Sequence, residues 1–173
     1  YQNAKTTLKS IIKSDPSEGE AFFLLGNVYL YQNVADSAKI AYQNGLAAKD
    51  HANLNNIGLG QIDLDNGNVV AAKTKFAAAI NEKRRKDFAE YVYVAKAYMN
   101  SVKPDYKAAI ATLELAKEKN GQEPQVLLAF GDAYYGDKNQ NAAYSAYRNA
   151  FQADNSLIRA KMQLGVLLKG AKA

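Results

Sequence analysis

Four glycines recur at matching places in helical stretches of this chain, Gly26, Gly60, Gly131 and Gly165, in steps of 34, 71 and 34 residues. Glycine inside a helix costs roughly 1 kcal/mol relative to alanine, so its return at one period demands a packing reason. The long step holds a fifth small residue, Ala95, which divides it into 35 and 36. A large residue precedes each of the five: Leu25, Leu59, Val94, Phe130 and Leu164. Three positions beyond them stand Tyr29, Asp63, Tyr98, Tyr134 and Leu168, of which only Asp63 is not bulky.

A second series runs in step with the first. Ala4, Ala38, Ala72, Ala109 and Ala143 are each followed four residues later by a large side chain: Leu8, Tyr42, Phe76, Leu113 and Tyr147. Three residues further on come Ile11, Gly45, Ala79, Ala116 and Ala150. Small residues at equivalent places in successive units mark close approaches between helices. The apolar spacing of three and four, as in Phe76-Ala79-Ile80, is that of amphipathic helices, and no segment sustains the alternation of a strand. Turn chemistry falls between the periodic stretches at Asp15-Pro16, Asp65-Asn66-Gly67-Asn68, Lys103-Pro104-Asp105, Asn120-Gly121 and Gly136-Asp137. The pattern predicts ten helices, at about 1–14, 19–31, 35–48, 53–66, 69–82, 87–101, 105–119, 124–136, 140–153 and 156–169. Connections this short make consecutive helices antiparallel neighbours. The unit containing Tyr98 and Ala109 is two residues longer there, and Ser101-Val102-Lys103-Pro104 is the expected place of the excess.

The order Leu-Gly then Tyr in one helix, Ala then a large residue in the next, repeated about every 34 residues, resembles the tetratricopeptide repeat family. The resemblance runs over essentially the whole chain. Two features depart from the family pattern. The expected tryptophan is replaced by Phe22, Asn56, Tyr91, Leu127 and Lys161, and the closing proline survives only at Pro16. The fold implied is all-α, a right-handed α-solenoid of antiparallel helix pairs. It divides as a half-unit at 1–18, repeats at 19–52, 53–87, 88–123 and 124–157, and a half-unit at 158–173. A half-unit at each end reads as a piece of a longer array. Met162, Leu164, Val166, Leu167 and Leu168 would then lack a covering neighbour, which predicts end-to-end association.

Composition removes most other functions. A chain with 48% hydrophobic and 23% charged residues folds, and no apolar run approaches the 18 or so residues of a membrane span. There is no cysteine, and His51, the single histidine, has no second histidine or cysteine beside it, so neither a metal nor any other cofactor is expected. Asp63 and Asp65 lie two apart and do not face each other on a helix, and no phosphate loop, nucleophile elbow or acid–base pair appears, so no enzyme is expected. The net charge of +5 is mild. The run Lys83-Arg84-Arg85-Lys86 reads as a solvated turn rather than a nucleic-acid contact, since no aromatic residue interleaves it. Absence of cysteine with many tyrosines, asparagines and lysines favours an exported or periplasmic setting over a cytoplasmic one.

The resemblance implies a partner that is a protein or peptide, held on a concave face lined by the first helix of each pair. Carried over by register, the residue three before each small anchor would line it: Phe23, Ile57, Val92, Leu128 and Met162. The residue after the anchor adds Asn27, Gln61, Lys96, Asp132 and Val166, and the fourth adds Leu30, Leu64, Met99, Tyr135 and Lys169. This gives a mostly apolar floor with a polar row, the surface of an interaction site. The competing reading places the aliphatic members in the solenoid core. Phe23 stands where some family members carry a lysine that clamps a terminal carboxylate, so that clamp is not expected. The alternative function is a structural or assembly module of a larger exported bacterial protein, working through its ends or convex face.

Overall fold

The computed structural model describes residues 1–80 and 88–170. Ten α-helices form among them: α1 (Gln2–Ser14), α2 (Gly19–Tyr31), α3 (Ala35–Leu46), α4 (Leu54–Asp65), α5 (Val69–Ala79), α6 (Ala89–Asn100), α7 (Tyr106–Lys119), α8 (Pro124–Gly136), α9 (Gln140–Ala153) and α10 (Ile158–Gly170). All ten expected helices are present. The boundaries expected at 82 and 87, and the basic run Lys83–Lys86, lie outside the described residues. The only strand-like feature among the described residues is a single parallel bridge between Glu18 and Asp50.

The helices group into two compact units, one built on α1–α5 and the other on α6–α10. In the first, α2 pairs with α3 and α4 with α5, while α2 also meets α4 directly. In the second, α6 pairs with α7 and α8 with α9, α6 meets α8, and α10 packs on α9. Thus the first helices of each unit (α2 and α4; α6, α8 and α10) make one layer and the second helices (α1, α3 and α5; α7 and α9) the other.

The hairpins repeat one another in detail. Asn33, Gly67 and Lys138 take the left-handed conformation, at φ of 58°, 81° and 62°, each seven residues past its glycine anchor. The next residue's N–H closes the turn onto the residue three past the anchor: Val34 to the Tyr29 carbonyl, Asn68 to Asp63 and Asn139 to Tyr134, at 2.8 to 2.9 Å. This six-to-one bond is the Schellman closure of a helix C-terminus. Between α6 and α7 the two extra residues change it. There Asp105 N–H, seven residues on, donates to the Tyr98 carbonyl at 3.1 Å, and Ser101 Oγ bonds the Lys103 carbonyl at 2.8 Å. The insertion lies where turn chemistry placed it.

Asn55 ties units of the repeat together. Fully buried in α4, it donates from Nδ2 to the Gly19 carbonyl at 3.0 Å and to the Ala52 carbonyl at 3.3 Å. Gly45 of α3 leaves the room for its amide, because a Cβ there would overlap it. The residue five before each small anchor is buried throughout: Ala21, Asn55, Glu90, Val126 and Ala160.

Candidate protein-binding face

Each glycine anchor that has a second helix after it receives an aromatic ring. A Cβ on Gly26 would overlap the ring of Tyr42, one on Gly60 would sit 2.5 Å from Phe76, and one on Gly131 would overlap Tyr147. The Tyr42 ring also fills the space left by Gly58 in α4, so it wedges between two first helices. Its hydroxyl then reaches through to the first-helix face and donates to Asn27 Oδ1 at 2.7 Å. Tyr147 does the same, donating to Asp132 Oδ1 at 2.9 Å. The residue following the small anchor is thereby held from beneath.

In the second unit this row is charged. Asp132 is largely enclosed, and its other oxygen meets the Arg159 guanidinium of α10 at 2.8 Å. Burial pushes the Asp132 carboxyl above the usual carboxylate range, against the opposing pull of Arg159, the Tyr147 hydroxyl and Lys96. Lys96, in α6, is held below the usual lysine range by burial first and by the Arg159 charge second, with Asp132 acting the other way. Its ammonium lies 5.8 Å from the centre of the Tyr93 ring. Burial and the neighbouring Asp132 charge push the Tyr147 phenol up. Arg159 of α10 thus pairs with the Asp132 carboxylate of α8, and the charge of the part-buried Lys96 of α6 acts on the same carboxylate, leaving an excess of positive charge on this face.

No family model matches the chain, and no curated protein matches it. Among solved structures, it is similar to a thermophilic TPR protein of Thermus thermophilus, with 15% identity over 95% of this chain and 88% of that one, at a TM-score of 0.68. It is similar to PilW, a widely conserved type IV pilus biogenesis factor, with 16% identity over 99% and 80% of the two chains, at 0.59. A third is YrrB, a TPR protein with an unusual peptide-binding site, at 16% identity, 95% and 84% coverage, and 0.50. The chain has the tetratricopeptide-repeat fold. It is an all-α helical-repeat solenoid.

That repeat geometry sorts the residues expected to line the face. Phe23, Ile57, Val92 and Leu128 are buried, between 1% and 6% exposed, so the expected apolar floor is closed: these are core residues. Only Met162, in α10, is open, at 66%. The physical reason is height along the helix. A residue three before the anchor shares its direction with the lining positions but sits a turn lower, where neighbouring first helices touch and, at Phe23, where the Tyr42 ring packs 6.1 Å away. Asn27, Leu30, Gln61 and Leu64 in the first unit are half-buried, as are Lys96, Met99 and Asp132 in the second, and Tyr135 is exposed. Val166 and Lys169 of α10 are exposed too. The accessible surface is therefore more polar than its sequence register implies. Arg159 was not among the expected residues. It lies six before Gly165, three positions before the first of the rows that register selects.

On the opposite flank of the helices, each unit has a cleft. One of about 350 Å³ lies between α7, α8 and α9, lined by Phe130, Tyr134 and Lys117 among others. Another of about 250 Å³ lies between α1, α2 and α3, around Phe22 and Tyr29. Away from both, Glu18, Glu20 and His51 bring ligand-type atoms within 4.8 Å of one another. The sequence offers His51 no nearby histidine or cysteine, and folding instead brings two glutamates to it. Glu18 Oε1 accepts the Glu20 N–H at 3.0 Å and meets His51 Nδ1 at 3.0 Å, which makes it the N-cap of α2.

Proposed function

We propose that this protein is an interaction scaffold that takes a segment of a partner polypeptide, extended or helical, on its first-helix face. The observation that carries the reading is the Lys96–Asp132–Arg159 row. Arg159 pairs with Asp132, the Lys96 charge on the preceding first helix acts on both, the carboxylate is fixed by Tyr147 from below, and the exposed Tyr135 ring stands one turn along α8 from Asp132. An aromatic anchor beside partly desolvated charges is the composition of an interface centre. The excess positive charge selects a segment carrying an acidic side chain. YrrB, of like fold, is described as having an unusual peptide-binding site, which supports the class of ligand.

Selection from a displayed random-peptide library, followed by amide chemical-shift mapping, tests the reading. Bound peptides should be enriched in Asp or Glu and should shift the resonances of Lys96, Asp132 and Tyr135. Tyr135→Ala should weaken binding at least tenfold without lowering the unfolding midpoint. Peptides that shift only the Phe130 and Lys117 flank would overturn it.

A second reading, an assembly module working through its convex face or its ends, draws on two observations: the clefts beside Phe130 and Phe22, and the apolar side chains left open on α10.

A further inference from the structure

The residues that lead into α2 and those that lead into α4 lie backbone against backbone. Gly19 N–H donates to the Asp50 carbonyl at 2.8 Å, and the Lys49 and Asp50 N–H groups both donate to the Ser17 carbonyl, at 3.1 and 3.0 Å. Gly19 permits the approach, since a Cβ there would stand 2.6 Å from the Asp50 oxygen and 2.9 Å from the Ala52 backbone. The fully buried Asn55 clamps the same two segments through the Gly19 and Ala52 carbonyls. On either side of Gly19 stand Glu18 and Glu20, and between Asp50 and Ala52 stands His51. His51 takes a left-handed conformation, at φ of 50°, and its Nδ1 lies 3.0 Å from Glu18 Oε1. This scaffold holds the ligand-type atoms of all three side chains within 4.8 Å of one another.

The repeat does not require this set of residues. At the equivalent place in the second unit, where α8 begins and the turn into α10 passes, the three positions hold Glu123, Gln125 and Ser156, with Pro124 for Gly19 and Ala160 for Asn55. Both helices form there without an imidazole or a second carboxylate. At the start of α4, Ala52 and Leu54 take the register of Glu18 and Glu20. Capping α2 uses Glu18 alone.

We propose that Glu18, Glu20 and His51 bind one Zn²⁺ ion, which clips the start of α2 to the turn before α4. One imidazole nitrogen with two carboxylates suits zinc, whereas magnesium and calcium favour oxygen ligands alone. With bonds of about 2.1 Å, two ligands of a tetrahedral zinc stand about 3.4 Å apart. Glu18 and His51 are already close to that spacing, and rotation of the half-buried Glu20 side chain brings in the third ligand. The ion takes the place of the proton between Glu18 and His51, and water completes its coordination. The Glu20 N–H, which donates to Glu18 Oε1, keeps that carboxylate oriented. Spacing along the chain conceals the site, because 33 residues separate Glu18 from His51. The unfolded chain does not hold the three together, so bound zinc stabilises the fold.

Titration of zinc chloride into the 173-residue chain, carrying no histidine tag and followed by calorimetry and by chemical shifts, tests this. One ion should bind per chain, the largest shifts should fall on Glu18, Glu20 and His51, and the unfolding midpoint should rise with zinc. Glu20→Gln removes a ligand and spares the helix cap; it should weaken binding at least tenfold. His51→Asn removes the imidazole but suits the left-handed turn, and it should abolish binding. The helical circular dichroism signal verifies that both variants fold. Excess magnesium should not displace the zinc. Absence of saturable binding overturns the proposal. Zinc held equally well by either variant, or displaced by magnesium, is adventitious binding to surface carboxylates and overturns it too.

Discussion

The hydroxyl of Tyr147 donates to Oδ1 of Asp132 at 2.9 Å, fifteen residues back along the chain, and Tyr42 makes the same reach to Asn27 at 2.7 Å. One side chain thereby serves two layers. Its ring fills the glycine slot in the core, and its oxygen fixes the residue that faces a partner.

Removing only the oxygen separates those duties. Tyr147→Phe loses a hydrogen bond to a charged acceptor and should lower stability by about 1.5–3 kcal/mol, whereas Tyr42→Phe, whose acceptor is a neutral amide, should lose about 0.5–1.5 kcal/mol. Urea unfolding of the pair checks the order.

Glycine to alanine should change sign between two positions of one register. At Gly131 the added methyl overlaps the Tyr147 ring, and overpacking of about 1–3 kcal/mol exceeds the roughly 1 kcal/mol gained in helix propensity, so Gly131→Ala should destabilise. At Gly165 nothing opposes the gain, so Gly165→Ala should stabilise by about 1 kcal/mol. Thermal unfolding at a concentration low enough to keep the protein monomeric measures both.

The Asp132 carboxyl gives a pH dependence whose sign follows from burial. Its folded-state pKa lies above its unfolded value, so between the two the folded protein holds more protons and stability falls as pH rises. Asp132→Asn removes that contribution. The stability of the wild type relative to Asp132→Asn should therefore grow as pH is lowered through the raised pKa, down toward the ordinary carboxylate range near 3.9. A difference that shrinks on acidification would mean the Arg159 and Tyr147 contacts outweigh burial.

Lys138 holds a left-handed turn position that Gly67 fills in an earlier hairpin. An L-residue there carries roughly 1–2 kcal/mol of strain. Lys138→Gly should relieve it, less the entropy glycine loses on folding, for a net gain of up to about 1 kcal/mol in urea unfolding.

Much of the fold was legible because repetition averages out local ambiguity. A single Leu-Gly or Ala-x-x-x-Tyr is uninformative, but five in step place ten helices and the inserted residues after Asn100. The site was less legible. Register alone assigned Phe23, Ile57, Val92 and Leu128 to a face because periodicity reports the direction of a side chain around its helix, not whether a neighbouring helix covers it at that height. It passed over Arg159 for a related reason: Arg159 joins the row through the reach of its side chain to Asp132, not through its place in the repeat.

What the sequence determined by itself is local and periodic: helix positions, turn positions, the small residues where helices touch, and a chemistry without thiols and with one imidazole. What only the tertiary structure decided is non-local. It decided that Tyr147 reaches Asp132, that Arg159 pairs with the same carboxylate, that Glu18 meets His51, and that the Tyr42 ring fills the space left by both Gly26 and Gly58. Period and propensity act within a helix. Burial, desolvation and side-chain reach depend on which helix lies alongside.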